Sequence, residues 1–150
     1  MRMKNRGKAN RMRLVLPAVS VNEGIARAAV AAFCAQADPS TTELADIKCA
    51  VSEAVTNCIV HAYRERAGEI CITVRLIPHG IRVAIRDRGC GIEDIQKARE
   101  PLFTTDAEGE RSGMGFTVME SFMDKLSVRS IKDKGTLVIL TKYLEKKKRA

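Results

Sequence analysis

Residues 70–91 read ICITVRLIPHGIRVAIRDRGCG, and this stretch carries the strongest structural pattern in the chain. In its first half, apolar residues at every second position alternate with Cys71, Thr73 and Arg75. Pro78-His79-Gly80 then supplies a turn, after which the same alternation returns over residues 81–86. Alternation on both sides of such a turn predicts an antiparallel β-hairpin.

The hairpin ends in Asp87-Arg-Gly89-Cys-Gly91, a sequence that suits a ligand site at the end of a strand. A carboxylate held there can accept a hydrogen bond from a ligand amine, such as the exocyclic amine of adenine. The two glycines allow close backbone approach and positive φ. The alternative interpretation is a tight Asp-Gly turn that binds nothing.

Upstream of the hairpin, residues 42–63 predict a helix with two polar side chains one turn apart, Glu53 and Asn57. An amide oxygen suits Mg²⁺ when substrate phosphates supply the other ligands. A neighbouring carboxylate can orient a nucleophile or take its proton. The alternative is an ordinary solvated helix face, and His61, one turn further on, is interpreted as a structural or peripheral residue.

Downstream, residues 104–115 form a polar stretch with three glycines and little periodicity, and a loop of this length is usually functional or mobile. It closes in Arg111-Ser-Gly113-Met-Gly115, directly before a helix predicted over residues 116–123. Glycines at a helix N-terminus favour anion binding, and a nearby arginine can clamp a terminal phosphate. A flexible hinge is the alternative.

The remaining pattern predicts a strand over residues 12–16, a helix from about residue 20 to 37, and a second hairpin over residues 126–143. Ser20 and Glu23 have the spacing of a capping box at the start of that helix. The stripe expected to face the core consists of Ile25, Ala28, Ala29, Ala32 and Phe33.

The formal net charge of +8 on 150 residues is concentrated near the two ends of the chain. Residues 1–13 hold six basic residues and no acid, whereas residues 14–141 hold 15 basic and 17 acidic residues. We predict basic tails over residues 1–11 and 145–150 and one nearly neutral domain over residues 12–144. This balance, with 4% aromatic residues, disfavours direct nucleic-acid binding, although a weak contact of the tails with a polyanion stays open.

Cysteine usage points to a reducing compartment. The five cysteines form no C-x-x-C pair and only two histidines accompany them, so a structural zinc site has little support. No signal peptide and no apolar run long enough for a membrane span are recognised. We therefore expect a cytoplasmic protein without a membrane partner.

In this order, the motifs resemble the nucleotide-binding domain of the GHKL superfamily, which comprises gyrase, the Hsp90 chaperones, histidine kinases and MutL. They are a helical E-x-x-x-N, a D-x-G-x-G after a strand, a loop ending in G-x-G before a helix, and Gly135-Thr136 opening a strand. The resemblance implies the Bergerat ATP-binding fold, an α/β architecture of the α+β two-layer sandwich type. Its sheet is mixed and mainly antiparallel, with helices on one face. The Walker A motif is absent.

Longer strings narrow the resemblance to the anti-sigma serine kinases of endospore-forming bacteria. They are EAVTN (53–57), PLFTT (101–105), ERSGMGFTVME (110–120) and FMD (122–124). Members of this family are dimeric, bind a sigma factor of the sigma-F type, and phosphorylate a serine of an anti-anti-sigma protein of the SpoIIAA type. The resemblance covers residues 12–144 and implies ATP or ADP with Mg²⁺ as cofactors.

Carried over by motif, the resemblance implies a role for each site residue. Asn57 would ligand Mg²⁺, Glu53 would act as the base for the serine hydroxyl, Arg111 would contact the γ-phosphate, and Arg27 would contact the sigma factor. The loop over residues 101–115 would close over the triphosphate, so that ATP strengthens sigma binding. The other nucleotide-binding positions would be Asp87, Gly89, Gly91, Thr104, Thr105, Ser112, Gly113, Met114, Gly115 and Thr136.

Three alternatives remain beside this interpretation. One is an anti-sigma kinase of the general-stress type, which the strings at residues 101–105 and 110–116 disfavour. A second is an ATP-gated binding module without kinase activity, which would need Asn57 and Asp87 but not Glu53. The third is a nucleic-acid-binding protein that depends on its basic tails alone.

Overall fold

The alternating apolar positions of five strands lie on one side of a single sheet, where they pack against the helices. The computed structural model describes residues 10–64, 66–100 and 115–145. The strands are β1 (Arg11–Pro17), β2 (Glu69–Ile77), β3 (Gly80–Asp87), β4 (Lys125–Ile131) and β5 (Gly135–Tyr143). The helices are α1 (Val21–Cys34), α2 (Thr41–Asn57), α3 (Ile95–Ala98) and α4 (Gly115–Phe122), with a 3₁₀ turn at Ala35–Ala37 and a π-helical turn at Cys58–Ala62.

The sheet has the strand order β1-β2-β3-β5-β4, and every strand pair among the described residues is antiparallel. The hairpin predicted from residues 70–91 is confirmed as β2 and β3, with Val74 opposite Val83. The second hairpin is confirmed as β4 and β5. Because β5 inserts beside β3, Asp87 lies directly opposite Thr136. This pairing joins two motifs that are 49 residues apart in sequence.

The helical layer consists mainly of α1, α2 and α4, and α2 contacts both of the others. Helix α2 buries Ile47, Val51, Ala54 and Val55 almost completely, as its apolar spacing predicts. Each of the larger side chains, Ile47, Val51 and Val55, contributes about 1.5–3 kcal/mol when it is removed from water. The opposite side of α2 holds Glu53 and Asn57 half-buried, so the core fixes the helix that carries them.

The capping box predicted at Ser20 is wrong. Ser20 makes no side-chain cap hydrogen bond, and the Glu23 carboxylate instead accepts from Arg27 at 2.9 Å. A capping box occurs at the start of α2, where Ser40 Oγ accepts from the Glu43 N–H and Glu43 Oε1 accepts from the Ser40 N–H. The backbone at Ser40 is extended, as this motif requires, whereas that at Ser20 is already helical.

The stripe predicted to be buried on α1 is wrong for three of its five residues. Ala28 and Ala32 are exposed and Ile25 is 49% exposed. The buried residues are Ala26, Val30, Cys34 and, in the following turn, Ala37, and Phe33 packs against the core partly buried. Helix α1 is apolar around most of its circumference, so its sequence leaves the buried face undecided, and packing against α2 selects it.

Helix α2 does not continue to Tyr63 as an α-helix, because its last turn widens into the π-helix at Cys58–Ala62. The wider turn changes the angle between successive side chains, so His61 no longer continues the stripe of Glu53 and Asn57. Among the described residues, no helix is both long and apolar enough to cross a membrane. The tail and domain boundaries at residues 11 and 144 stay predictions.

Candidate functional site

The carboxylate of Asp87 forms the floor of the candidate site. The residue is only 6% exposed. Its Oδ1 accepts from the backbone N–H groups of Gly89 at 3.0 Å and Thr136 at 3.2 Å. Its Oδ2 lies 3.5 Å from the Cys58 thiol, which donates to it. These contacts hold the carboxylate in one orientation at the end of β3.

Burial sets the direction in which the pKa of the Asp87 carboxyl group shifts. Desolvation raises the pKa of Asp87 above its ordinary value, while the hydrogen bonds from Gly89, Cys58 and Thr136 act in the opposite direction. Burial also raises the pKa of the Cys58 thiol well above its usual range, and the adjacent Asp87 carboxylate adds to this effect. Cys58 therefore stays protonated and serves as a hydrogen-bond donor.

The D-x-G-x-G turn needs its second glycine for steric reasons. Gly91 has φ +72°, a conformation that other residues rarely adopt. A Cβ at this position would lie 2.4 Å from the backbone oxygen of Ile131. The turn is further tied to β4 by the N–H of Ile92, which donates to Ser130 Oγ at 2.7 Å. The loop after Asp87 is thus packed against the neighbouring hairpin.

Glu53, Asn57 and the start of α4 meet on the other side of the site. A Cβ placed on Gly115 would lie 3.2 Å from both Oδ1 and Nδ2 of Asn57 and 3.5 Å from Oε2 of Glu53. The E-x-x-x-N motif is therefore in contact with Gly115, the last glycine of the G-x-G motif, although 58 positions separate Asn57 from Gly115. Glycine at residue 115 keeps the space beside these two side chains open.

Cys58 connects the two halves of the site. It follows Asn57 directly in sequence, and its thiol contacts Asp87. The E-x-x-x-N and D-x-G-x-G motifs therefore lie next to each other at one end of the sheet. This contact coincides with the beginning of the π-helical turn, a feature that is frequent at functional sites.

Sequence reasoning missed Tyr63, which braces the turn after Asp87. The residue is 8% exposed, its hydroxyl donates to the Glu69 carbonyl at 2.6 Å, and the N–H of Arg88 donates to that hydroxyl at 2.7 Å. Burial raises the pKa of Tyr63. No local motif marks this residue, because its partners lie six and 25 positions away.

Ser130 was missed for the same reason. Its Oγ lies 2.8 Å from Oγ1 of Thr136 and 3.1 Å from the Gly135 carbonyl, in addition to accepting from Ile92. Thr136 itself is 7% exposed. Ser130 thereby joins the hydroxyl of a predicted nucleotide-binding residue to the glycine turn that follows Asp87.

Only part of the set of site residues predicted from the sequence is found together among the described residues. Glu53, Asn57, Asp87, Gly89, Gly91, Gly115 and Thr136 meet at one end of the sheet. Arg27 lies on α1, where its guanidinium contacts Glu23 and, at 3.3 Å, Ser52 Oγ on α2. The predicted residues Thr104, Thr105, Arg111, Ser112, Gly113 and Met114 lie outside the described residues.

The chemistry of these groups fits an adenine nucleotide with Mg²⁺. A buried carboxylate at the floor suits an exocyclic amine, and Asn57 offers an amide oxygen to a hard cation. Glycine at residue 115 leaves open the volume that a Cβ would fill beside Asn57 and Glu53. Among the described residues, no group of three or more His, Cys, Asp or Glu side chains is arranged to hold a metal ion.

Comparison with solved structures agrees with this fold. The RsbU and RsbW domains of a Mycobacterium tuberculosis protein superpose with a TM-score of 0.67 at 21% identity, over 93% of this chain and 34% of that chain. The catalytic domain of histidine kinase ThkA superposes with a TM-score of 0.55 at 17% identity, over 90% of this chain and 96% of that chain. At these identities the likeness shows the fold alone.

Sequence comparison defines the family. Residues 16–142 match the family model of the histidine kinase-like ATPase domain. The chain is 56% identical over 135 residues to the anti-sigma F factor of Caldanaerobacter subterraneus subsp. tengcongensis, covering 90% of this chain and 94% of that protein. It is 53% identical over 140 residues to the anti-sigma F factor of Bacillus subtilis, covering 93% and 96%. The motifs, the fold and these matches agree, and the chain belongs to the anti-sigma F factor family of histidine kinase-like ATPase domains.

Proposed function

We propose that this protein is an ATP-dependent serine kinase that also binds and inhibits a sigma factor of the sigma-F type. Its protein substrate is an anti-anti-sigma protein that is phosphorylated on serine. The observation that supports this best is the contact of Gly115 with Glu53 and Asn57, next to the buried carboxylate of Asp87. It brings a candidate base, a candidate metal ligand and an adenine acceptor to one end of the sheet.

Asp87 selects the base of the nucleotide. Its carboxylate is oriented by the N–H groups of Gly89 and Thr136, which leaves acceptor capacity for the exocyclic amine of adenine. Guanine has a carbonyl oxygen where adenine has its exocyclic amine, so it would place an acceptor against the carboxylate and lose this hydrogen bond, at a cost of about 1–3 kcal/mol. This discrimination favours adenine over guanine.

Asn57 positions the triphosphate through Mg²⁺. Mg²⁺ bound with ATP would neutralise part of the phosphate charge that develops during transfer. The half-buried amide of Asn57 would supply one oxygen ligand, and phosphate and water oxygens would supply the rest. Arg111 and the backbone of residues 112–114 complete the proposed phosphate site on the basis of sequence alone.

Glu53 acts on the incoming serine. Its carboxylate lies one helical turn from Asn57, where it can accept the proton of the serine hydroxyl. The serine oxygen then bonds to the γ-phosphorus while the bond from that phosphorus to the β,γ-bridging oxygen breaks. The products are phosphoserine and ADP, and the proton remains on Glu53 until it exchanges with solvent.

Arg27 is proposed to contact the sigma factor. Its guanidinium, on a side chain that is 42% exposed, pairs with Glu23 and reaches Ser52, which precedes Glu53 on α2. A partner that binds Arg27 thus contacts the helical layer, whose helix α2 carries the proposed base Glu53. Nucleotide-dependent closure of the 101–115 segment would strengthen this binding in the ATP state.

A homodimer is proposed through the outward face of α1. Val21 is 73% exposed and Ile25 is 49% exposed, and the exposed Ala28 and Ala32 continue the same helical stripe. A two-fold contact requires a self-complementary surface, which an apolar stripe on a helix provides. Light scattering of Ile25→Glu tests this assignment. A molecular mass equal to that of the wild type would exclude this stripe as the dimer contact.

The test of the kinase activity is phosphotransfer from radiolabelled ATP to a candidate anti-anti-sigma protein. We expect transfer by the wild type and at least an approximately 100-fold lower rate for Glu53→Ala, with ATP binding retained. Glu120→Ala, which removes a half-exposed carboxylate on α4, is the matched control and should transfer normally. A wild type that binds ATP and the sigma factor but transfers no phosphate would support an ATP-gated binding module instead.

A further inference from the structure

The two layers of the domain carry opposite charge, although the domain is nearly neutral in total. The side of the sheet that faces away from the helices, called here the open face, carries seven basic side chains. They are Arg11, Arg13, Arg75, Arg82, Arg86, Lys125 and Arg129. Many of the acidic side chains lie instead on the helices, at Glu23, Glu43, Asp46, Glu53 and Glu120.

The strand register arranges these cations in rows across the sheet. Arg11 pairs with Arg75, Arg75 pairs with Arg82, and Arg82 continues through Thr141 to Lys125. Neighbouring strands are about 4.8 Å apart, so this row spans roughly 19 Å. Like charges directly opposite one another destabilise a sheet. Folding alone therefore does not favour the row.

The open face has little internal neutralisation. Among the described residues, none of the seven basic side chains forms a salt bridge. Among the described residues, Glu69 lies at the far end of β2 on this face and Asp124 lies beside Lys125. The Asp124 carboxylate already accepts from the N–H of Tyr143 at 2.6 Å. The positive potential of the face is thus left for an external anion.

The part of the row formed by Arg82, Thr141 and Lys125 contains a shallow cavity. Its volume is about 440 Å³, and it is lined by Arg82, Lys125, Leu126, Ser127, Ile139 and Thr141. The ammonium of Lys125 also lies 5.6 Å from the centre of the Tyr143 ring. Two cations and the hydroxyl groups of Ser127 and Thr141 therefore line a concave surface that also contains Leu126 and Ile139, and its polar groups can contact phosphate oxygens.

Two of the seven basic residues belong to the basic N-terminal stretch of the sequence. Strand β1 begins at Arg11, and β5 ends at Tyr143, two residues after Thr141. The sequence before β1 contains Arg2, Lys4, Arg6 and Lys8, and the sequence after residue 145 contains Lys146, Lys147, Lys148 and Arg149. Arg11 and Arg13, which sequence analysis counted within the basic N-terminal stretch, are part of the sheet. The open face therefore includes part of the basic N-terminal stretch, at Arg11 and Arg13.

From this arrangement we infer that the open face binds the phosphate backbone of double-stranded nucleic acid without sequence preference. A second copy of the chain would bring two positive faces together and is disfavoured by repulsion. A protein partner would need an apolar or aromatic centre, yet the large exposed apolar side chains of this face, Val15 and Ile131, lie at its margins. Dispersed arginines over roughly 19 Å match a polyphosphate surface.

The test is fluorescence anisotropy of a short labelled DNA duplex titrated with the full chain at about 50 to 200 mM salt. We expect binding that weakens steeply with salt and is equal for unrelated duplex sequences. The variant Arg75→Gln/Arg82→Gln should bind about tenfold more weakly, and its salt slope should be smaller by about 1–2, since each phosphate contact contributes about 0.9. Lys48→Gln/Lys97→Gln removes the same charge from the helices and should keep the wild-type slope.

Three results would overturn the inference. The first is no duplex binding at the lowest salt, and the second is an unchanged slope in Arg75→Gln/Arg82→Gln, which would assign binding to the chain ends alone. The third is displacement of the duplex by polyglutamate as effectively, per charge, as by unlabelled DNA, which would indicate an acidic protein partner. Circular dichroism melting of each variant establishes that a loss of binding does not reflect unfolding.

Discussion

The backbone N–H of Thr136 donates to Oδ1 of Asp87 across 3.2 Å, and this bond joins the ends of β3 and β5 beneath the candidate site. The two residues also face each other in the strand register. The antiparallel insertion of β5 next to β3 thus orients the carboxylate that is proposed to recognise adenine. Fold and ligand recognition depend on the same pairing.

Asp87→Asn is expected to weaken ATP binding by about 10- to 100-fold, because a hydrogen bond to a charged group contributes about 1.5–3 kcal/mol. The asparagine oxygen can still accept from Gly89 and Thr136, so the turn should stay folded. Isothermal titration with ATP measures the effect. Asp133→Asn, an exposed residue in the β4–β5 turn, serves as the control. Unchanged affinity in Asp87→Asn would exclude Asp87 as the adenine acceptor.

The titration of Asp87 predicts a pH dependence of stability. Burial raises its pKa in the folded state above that in the unfolded chain, so the folded state binds this proton more tightly. The contribution of Asp87 to the free energy of unfolding is therefore greatest below the unfolded pKa and is lost as pH rises through the folded pKa. Urea unfolding between these two values should show a decline that Asp87→Asn reduces. A steeper decline in the variant would contradict the prediction.

Gly115→Ala is expected to lower ATP affinity and phosphotransfer several-fold without destabilising the protein. The added Cβ would lie 3.2 Å from the Asn57 amide, which must then shift by a few tenths of an ångström. Gly24→Ala in α1 is a matched control, because its Cβ meets only the flexible end of Arg27, at 3.8 Å. Titration calorimetry and thermal melting should separate the two variants. Equal ATP affinity in both would contradict the proposed site.

Tyr63→Phe is expected to lower the free energy of unfolding by about 1–3 kcal/mol, since the N–H of Arg88 loses its acceptor. The Glu69 carbonyl loses its donor in the same variant. The turn after Asp87 should loosen, so ATP affinity should fall together with stability. Urea denaturation measures the first effect, with Tyr143→Phe as the control for loss of a tyrosine hydroxyl elsewhere. A loss no larger than that of the control would show that Tyr63 does not brace the turn.

Ser20 and Ser40 each begin an S-x-x-E sequence, but their replacement by alanine should have different effects on stability. Ser40→Ala removes an N-cap acceptor of α2 and should cost about 1 kcal/mol. Ser20→Ala should cost much less, because Ser20 makes no side-chain cap hydrogen bond. Chemical denaturation of both variants provides the comparison. Equal losses would contradict the assignment of the cap to Ser40.

Local sequence patterns were reliable where the physics is local. The alternation in residues 70–86 required a hairpin, and the apolar spacing of α2 required that Glu53 and Asn57 lie away from the core. The order of short motifs was enough to indicate the ATPase family, because its phosphate and base contacts come from contiguous residues. The S-x-x-E pattern failed at Ser20, since a capping box also needs an extended backbone at its first residue.

By itself, the sequence determined the strands, the central helix, the candidate catalytic and metal-binding side chains and the family. Only the tertiary structure decided which face of α1 is buried, that Tyr63 and Ser130 support the site, and that Gly115 meets Asn57. It also decided that a nearly neutral domain separates its charges between two layers. Periodicity reports which residues share a face of one element, whereas contacts and charge distribution between elements depend on strand order and register, which are set by long-range pairing.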